Sequence, residues 1–445
     1  MNRYDIDRKI TVSIDPNNII GEIKPLHGVN NAPYFYGSAA MLHYMKEAGI
    51  PYSRLHDTCG PYGGYRYVDI ANIFRDFDAD ETLPENYDFT ATDHLIKSLH
   101  DNGVEAFYRL GCTIENDPFG IAYRIYPPAD FEKWARICEH IILHYNYGWA
   151  EGYRLGLNYW EIWNEPDNMP DIPDNPMWRG TMEQFFELYR VAACHLKARF
   201  PELKIGGYGS CGFYSVVEKE ASPDAHISPR TAYFTEFFLK FIEYIAAPET
   251  KAPLDFFSWH SYADEDSCVR FAGFARETLD RYGFTETESI FDEWNTGIAL
   301  RGTVQDASNI ASMMITMHPS CVDKMMYYDA QYIHSYGGLF SSMDFRPLKA
   351  YFAFKAYGEL FADKYQISAS ATSGGVKLLA SSHRLLIVNR LNEPVYITFQ
   401  SPSGIDVARK AGELRIIDAS HDLSKVNWDG AHIPLPPYAL ALIEF

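Results

Sequence analysis

Along most of the chain, hydrophobic positions switch between two spacings. In TDHLIKSLHDNGVEAFYRLG (92–111), apolar residues first recur every three to four positions and then, after a glycine, crowd together. The same succession recurs in 182–209 and 274–295. A spacing near 3.6 marks an amphipathic helix, and a short bounded apolar run marks a strand that can be fully buried. Their regular alternation predicts parallel strands joined by crossover helices. Eight candidate strands lie around Leu26–Asn30, Tyr52–Asp57, Val104–Gly111, Leu157–Asn164, Lys204–Tyr208, Leu254–His260, Ser289–Glu293 and Lys324–Asp329, with a last helix over 347–365. Eight such units over roughly 340 residues suggest an α/β fold of the (β/α)8 TIM-barrel type with long loops. A doubly wound sheet is the alternative, but no Gly-rich phosphate loop follows the first strand.

Past residue 365 the period shortens to two. GGVKLLASSHRLLIVNRLNEPVYITFQ (374–400), LRIIDAS (414–420) and YALALIEF (438–445) read as short strands between tight turns. This predicts an accessory all-β sandwich of about 80 residues. The isolated strand KITVSID (9–15) is expected to pair with it, bringing the chain ends together. The expected division is 1–15 for that strand, 16–362 for the barrel and 363–445 for the sandwich.

Charge narrows the partners. The 59 acidic and 39 basic residues leave a formal net charge of −20, the wrong sign for a nucleic-acid partner. No run of 18 apolar residues is present, so no membrane span is expected. The opening MNRYDIDRKI has no apolar core of a signal peptide. Seven cysteines without CxxC or paired Cys/His spacing predict reduced thiols and a cytoplasmic protein, not a zinc site or disulfide framework. The acidic stretch RDFDADE (75–81) lacks the spacing of a calcium loop and reads as a solvated loop.

The chemistry concentrates at strand ends. NYWEIWNEPD (158–167) puts Glu165 at the carboxyl end of the fourth strand, where barrels carry catalytic groups, and Pro166 stops the strand there. Flanking tryptophans exclude water, and desolvation is expected to raise the Glu165 pKa, as a general acid requires. Glu293 in SIFDEWNTG, at the end of the seventh strand, is the natural partner. Two carboxylates flanking one bond are the apparatus of glycoside hydrolysis, one protonating the leaving oxygen and the other attacking the anomeric carbon or activating water. Glu161 shares the strand face of Glu165 but lies about 13 Å deeper at about 3.3 Å per residue. It is expected to be a buried ion-pair partner, with Arg109 as its candidate cation. Asp292 is expected to face the helices. Trp163 and Trp294 fit sugar platforms and core packing equally. His260 alone would read as a core histidine, but its place in a strand-end HSY points to the site.

The ordered motifs EIWNEPD (161–167), SRLHD (53–57), FFSWHSYA (256–263), FDEWN (291–295) and GLFSSMDFRPLKAYFAFK (338–355) together resemble glycoside hydrolase family 39 of clan A, which includes β-xylosidases and α-L-iduronidases. The stretch TCGPYGGYRY after the second strand departs from that pattern. The resemblance implies that Glu165 is the acid/base and Glu293 the nucleophile. It further implies that Asn164 binds the sugar 2-hydroxyl, that His260 and Tyr262 orient Glu293 and contact the sugar, that His56 binds a ring hydroxyl, and that Arg54 lies beneath Glu293 and keeps it ionised. Trp294, beside Glu293, is a candidate substrate contact. A retaining exo-glycosidase working through a covalent glycosyl-enzyme is expected, with no metal or organic cofactor and a small plant-type oligosaccharide as partner. Xylose is favoured over arabinose, galactose or glucose. An iduronate would need a cationic clamp, and only Arg270 and Arg301, on nearby loops, are candidates. A transglycosylase and a non-catalytic carbohydrate-binding barrel are the rival readings. Oligomeric state is not readable from the sequence.

Overall fold

The computed structural model describes residues 8–34, 38–56, 58, 68–114, 124–221, 227–332, 336–400, 412–428 and 432–445. Strand β1 (Lys9–Glu22) precedes a closed barrel of eight parallel strands. These are β2 (Gly28–Asn30), β3 (Tyr52–Arg54), β4 (Glu105–Leu110), β5 (Tyr159–Ile162), β6 (Lys204–Ser210), β7 (Phe256–Ser261), β8 (Glu288–Trp294) and β9 (Lys324–Tyr327), with β2 closing onto β9. Both faces of these strands are covered, by helices outside and by barrel filling inside, which is why they read as continuous apolar runs.

The crossover helices start where the sequence supplies a cap. Asp130, Thr181, Ser228, Asp264 and Thr303 each accept a hydrogen bond from a backbone N–H in the first turn of the helix that follows. Thr181 and Gln184 complete a reciprocal capping box. Helix 131–147 ends on Gly148 at φ 81°, where a side chain would be strained.

Inside the barrel, residues two apart along each strand share a face. The floor is apolar and aromatic, with Phe107, Tyr159, Phe256, Ile290 and Met326 packed together and Phe107 stacked on Tyr159 at 5.2 Å. One layer toward the strand C-termini the filling turns polar, with Asn30, Arg54, Glu161, Ser258 and Asp292 all buried.

The C-terminal strands are β10 (Tyr365–Ala371), β11 (Val376–Ala380), β12 (Arg384–Asn389), β13 (Val395–Gln400), β14 (Glu413–Ile417), β15 (Asp422–Val426), β16 (His432–Leu435) and β17 (Leu440–Glu444). They form two sheets, ordered β10-β1-β13-β16 and β11-β12-β17-β14-β15. Strand β1 runs antiparallel to β10 and parallel to β13. Period-two alternation gives the second sheet two working faces. Leu385, Ile387, Ala441 and Ile443 meet Ile10, Val12 and Ile397 between the sheets. Their neighbours Leu386, Val388, Leu440 and Leu442 join the barrel's own core instead. Ser308 Oγ donates to the Asn389 carbonyl at 3.0 Å, and Arg415 Nη1 to Glu359 at 2.8 Å, across the same seam.

In the 75–81 stretch, Asp76 and Asp80 accept from backbone N–H groups two residues on, and Glu81 pairs with Arg136 at 2.7 Å. No helix among the described residues is long and apolar enough to cross a membrane.

Candidate active site

Strand β5 ends in a contorted turn. Trp163 and Glu165 are left-handed, at φ 75° and 45°. Residues other than glycine hold that conformation only where their surroundings over-determine it. Here Trp163 N–H bonds Leu110 O at 2.6 Å and Glu165 N–H bonds Gly209 O at 2.9 Å. The Trp163 indole donates to Met177 O at 3.0 Å and packs edge-on against Trp178 at 5.2 Å. Trp163 is therefore a structural anchor of the turn, not a sugar platform.

Strand β8 reaches the same mouth with a bulge. Trp259 pairs with Phe291 and His260 with Glu293, so one extra residue, Asp292, is inserted. A bulge breaks strict alternation. Asp292 accordingly faces the barrel interior and not the helices, correcting the expectation from its parity.

Arg54 at the end of β3 is fully buried and organises the cluster. Its Nε lies 2.7 Å from Glu161 and 3.0 Å from Asp292. Its Nη1 donates to Asn30 Oδ1 at 3.2 Å and lies 3.3 Å from Glu293, and its Nη2 donates to Asn164 Oδ1 at 2.6 Å. Glu161 thus pairs with Arg54 and not with Arg109. Although Arg109 stands beside Glu161 in the β4–β5 register, it reaches toward the loops to Asp69 at 2.7 Å. A guanidinium offers several donors in a fixed fork, which lets Arg54 serve three carboxyl groups at once.

Above this layer, His260 Nδ1 lies 2.8 Å from Glu165 Oε1 and 3.6 Å from Glu293 Oε2. Tyr262 OH donates to Glu293 Oε1 at 2.6 Å, and Asn168 Nδ2 to Glu165 Oε2 at 2.7 Å. Asn164 Nδ2 is buried and has no hydrogen-bond partner among the described residues. Glycine suits position 209, at φ 62°, because a Cβ there would crowd Arg54 Nη2 and His260 Nε2 at 3.1 Å.

So many buried carboxyl groups cannot all be ionised. Burial, and then the Glu161 charge, push Asp292 well above the usual carboxylate range. Burial also works to raise Glu161, but Arg54 and the hydrogen bonds from Asp292 and Ser258 hold it below its ordinary value. For Glu165, burial is outweighed by the hydrogen bond and charge of His260 and by Asn168, and its pKa is lowered. For Glu293, burial and the Glu165 charge prevail over His260, Arg54 and Tyr262, and its pKa is raised. His260 is raised because the two glutamates overcome its burial. The expectation that Glu165 is the raised group and Glu293 the ionised one is thus reversed in direction. The reason is geometric: His260 bonds Glu165 directly and stands farther from Glu293.

The structure therefore brings Glu165, Glu293, Asn164, His260, Tyr262 and Arg54 together. His56 is buried on the same strand end, two residues beyond Arg54. Trp294 is not brought in. It is fully buried and packs edge-on against Tyr327 at 5.2 Å, on the side of helix 349–362. Arg270 lies on the exposed face of helix 265–281 rather than on a loop, and Arg301 donates to Tyr327 OH at 3.4 Å. Sequence reasoning did not single out Asn168 or Asp167. The only local signal was a polar pair just past a strand-ending Glu-Pro, where a turn can fold side chains back. Glu165, His260 and Glu293 also form the one group of His, Cys, Asp and Glu with metal-ligand spacing among the described residues, with ligand atoms within 4.8 Å of one another. The His260–Glu165 hydrogen bond accounts for that spacing.

The family model described as glycosyl hydrolases family 39 matches residues 38–400. Over 218 residues the chain is 26% identical to a protein named beta-xylosidase from Geobacillus stearothermophilus, covering 45% of this chain and 37% of that one. It is 31% identical over 169 residues to a protein named beta-xylosidase from Caldicellulosiruptor saccharolyticus, covering 36% and 31%. The chain thus spans about a third of the length of these curated relatives. Among solved structures, it resembles a glucosidase from Croceicoccus marinus at TM-score 0.77 and 21% identity, covering 99% of both chains. It also resembles a monomeric beta-xylosidase from Caulobacter crescentus CB15 at TM-score 0.65 and 18% identity, covering 98% and 99%. At such identities the likeness is one of fold.

Proposed function

The chain belongs to the glycosyl hydrolases of family 39, and from that premise we propose that it is a retaining exo-glycosidase releasing a β-linked neutral sugar, xylose before others, from the non-reducing end of a small oligosaccharide. One observation carries the reading of mechanism: carboxylate oxygens of Glu165 and Glu293 lie within 4.8 Å of each other across His260. Retaining enzymes hold their carboxyl groups about 5–5.5 Å apart, whereas inverting ones leave about 6.5–9.5 Å for a water.

Glu293 attacks the anomeric carbon from beneath the ring while Glu165 protonates the leaving oxygen. The C–O bond to the leaving group breaks as the bond to Glu293 forms. Glu165, now a carboxylate, takes a proton from water, which cleaves the glycosyl-enzyme. Tyr262 and Arg54 hold one Glu293 oxygen each, leaving little rotational freedom to the nucleophile. The unpartnered Nδ2 of Asn164 is the donor for the sugar 2-hydroxyl. Proton placement falls to His260. Its Nδ1 faces both glutamates, so a proton shared among His260, Glu293 and Glu165 can rest on Glu165 as positive charge develops at the anomeric carbon and favours an ionised Glu293.

The neutral glycon is supported by the commitment of the cation at the centre of the cluster. Arg54 already serves three carboxyl groups, and Arg301 is turned to Tyr327. The relatives named beta-xylosidase support a pentose. All six described cysteines are free, which supports a reducing, cytoplasmic setting.

The test is a panel of nitrophenyl glycosides, comparing β-xyloside, β-glucoside, β-galactoside, α-arabinoside and an iduronide, with the anomer first released followed by NMR. The β-xyloside should be hydrolysed fastest and the β-anomer should appear first. Release of the α-anomer would remove the retaining mechanism. Turnover of the iduronide alone would remove the neutral glycon.

A further inference from the structure

Two residues past Glu165, Asp167 carries a carboxyl group that the chemistry above does not use. It is fully buried, and it forms no salt bridge with a Lys or Arg among the described residues. Its oxygens accept from Ser210 Oγ at 2.9 Å and from the Cys211 backbone N–H at 3.2 Å. Both donors stand at the mouth end of β6, the same strand end that receives the Glu165 N–H through Gly209 O. Between these anchors runs the left-handed backbone of Glu165 itself. The far side of the turn is tied separately: Arg230 Nε donates to Asn168 O at 2.8 Å, and Asn168 holds Glu165 Oε2. Asn168 fixes the tip of the Glu165 side chain, while the Gly209 and Asp167 contacts fix the near side of its backbone turn to β6.

We propose that Asp167 is a positioning residue for the acid/base: its carboxyl clasps the Glu165 turn to the end of β6 and holds the Glu165 carboxyl at the leaving-group oxygen. This rests on the reading of Glu165 as the acid/base. An aspartate suits the clasp because both of its oxygens accept from Cys211 N–H and one also takes Ser210. A strained turn freed of this anchor relaxes, and a displacement of about 1 Å in a catalytic group can cost on the order of 100-fold. The loss should fall on the protonated step alone, since Glu293 and Arg54 lie on other strands and Tyr262 just past the end of another.

The experiment compares kcat/KM of D167A, D167N, S210A and E165A on two glycosides of the preferred sugar, one with an alkyl leaving group and one with dinitrophenolate. D167A should lose about 10–100-fold on the alkyl glycoside and less than about threefold on the dinitrophenyl one, as misplacement of an acid predicts. D167N, which keeps one acceptor oxygen, should fall between D167A and wild type. Melting curves show which variants are folded. If D167A does not fold, S210A takes its place, with the same selectivity at about three- to tenfold. Equal losses on both glycosides, or none, in folded variants overturn the clasp. If E165A is selective and D167A is not, the clasp alone fails. If E165A is itself unselective, the acid/base assignment fails and takes the clasp with it.

Discussion

The floor and the mouth of the barrel are built from the same strands, a few residues apart, and they obey different physics. On the floor, Phe107, Tyr159, Phe256, Ile290 and Met326 fill the space by shape and dispersion. At the mouth, Arg54, Glu161, Asp292, His260, Glu165 and Glu293 fill a comparable space with hydrogen bonds and shared protons. Each floor residue gains from burial, whereas each mouth residue resists it and is held by partners that resist it too. The difference teaches where the fold is stabilised and where that stability is given up for chemistry.

The comparison breaks most sharply at the nucleophile. Glu293→Ala should cost on the order of 10⁴-fold or more in turnover, the scale on which removing a nucleophile acts, with little change in melting temperature. Azide should restore part of the activity and give a glycosyl azide of inverted configuration. Near-normal turnover would exclude Glu293. Next in size, Glu165→Ala should slow poor leaving groups by about 10²–10⁴-fold and leave activated aryl glycosides far less affected. An equal loss on both would count against Glu165.

The floor should answer in the opposite way. Phe256→Ala removes a fully buried ring from the packed layer and should destabilise by about 3–5 kcal/mol in denaturant unfolding, while the folded fraction keeps the wild-type pH profile. A shifted profile with unchanged stability would show that floor and mouth are not separate.

Smaller effects sharpen the electrostatics. Tyr262 OH donates to Glu293 and draws its pKa down against burial. Tyr262→Phe should therefore raise the Glu293 pKa further and move the acid limb of kcat/KM to higher pH, by up to about one unit, an interaction of about 1.4 kcal/mol. A shift to lower pH would contradict the hydrogen bond's role.

The last effect, read on stability rather than turnover, concerns Asp167. Burial and the Glu165 charge raise it from 3.8 to about 7, with Cys211, Tyr208 and Tyr233 also facing it. A carboxyl raised in the folded state contributes fully below its unfolded pKa and loses that contribution as pH rises through the folded value. Asp167→Asn has no such loss, so its melting temperature relative to wild type should climb between pH 4 and pH 7 and then level off. A flat difference across that range would place Asp167 outside the titrating set.

Much of this molecule is legible in one dimension. Helix and strand periods are local properties, so the eight units, the C-terminal change of texture and the strand-end placement of Glu165 and Glu293 can be read from spacing and motif. Whether a tryptophan beside a catalytic glutamate faces sugar or core cannot. Trp163 and Trp294 carry the same local signature as a platform, and only the distant rings packed against them, Trp178 and Tyr327, decide otherwise. The partner of Glu161 was equally hidden, because Arg109 and Arg54 are both near in the register and the choice depends on where the loops carry Asp69. Parity misplaced Asp292 because a single bulged residue in β8, set by pairing with β7, overrides alternation.

By itself, then, the sequence determined the alternation of elements and the chemical identity of the groups at the strand ends, because both depend on neighbours within a few residues. Only the tertiary structure decided how those groups share charge. The pKa of Glu165 depends on a histidine 95 residues away and that of Glu293 on an arginine 239 residues away. At contact distance in a buried site the histidine outweighs, at Glu165, the desolvation that the local sequence advertises, whereas at Glu293 the arginine only moderates it.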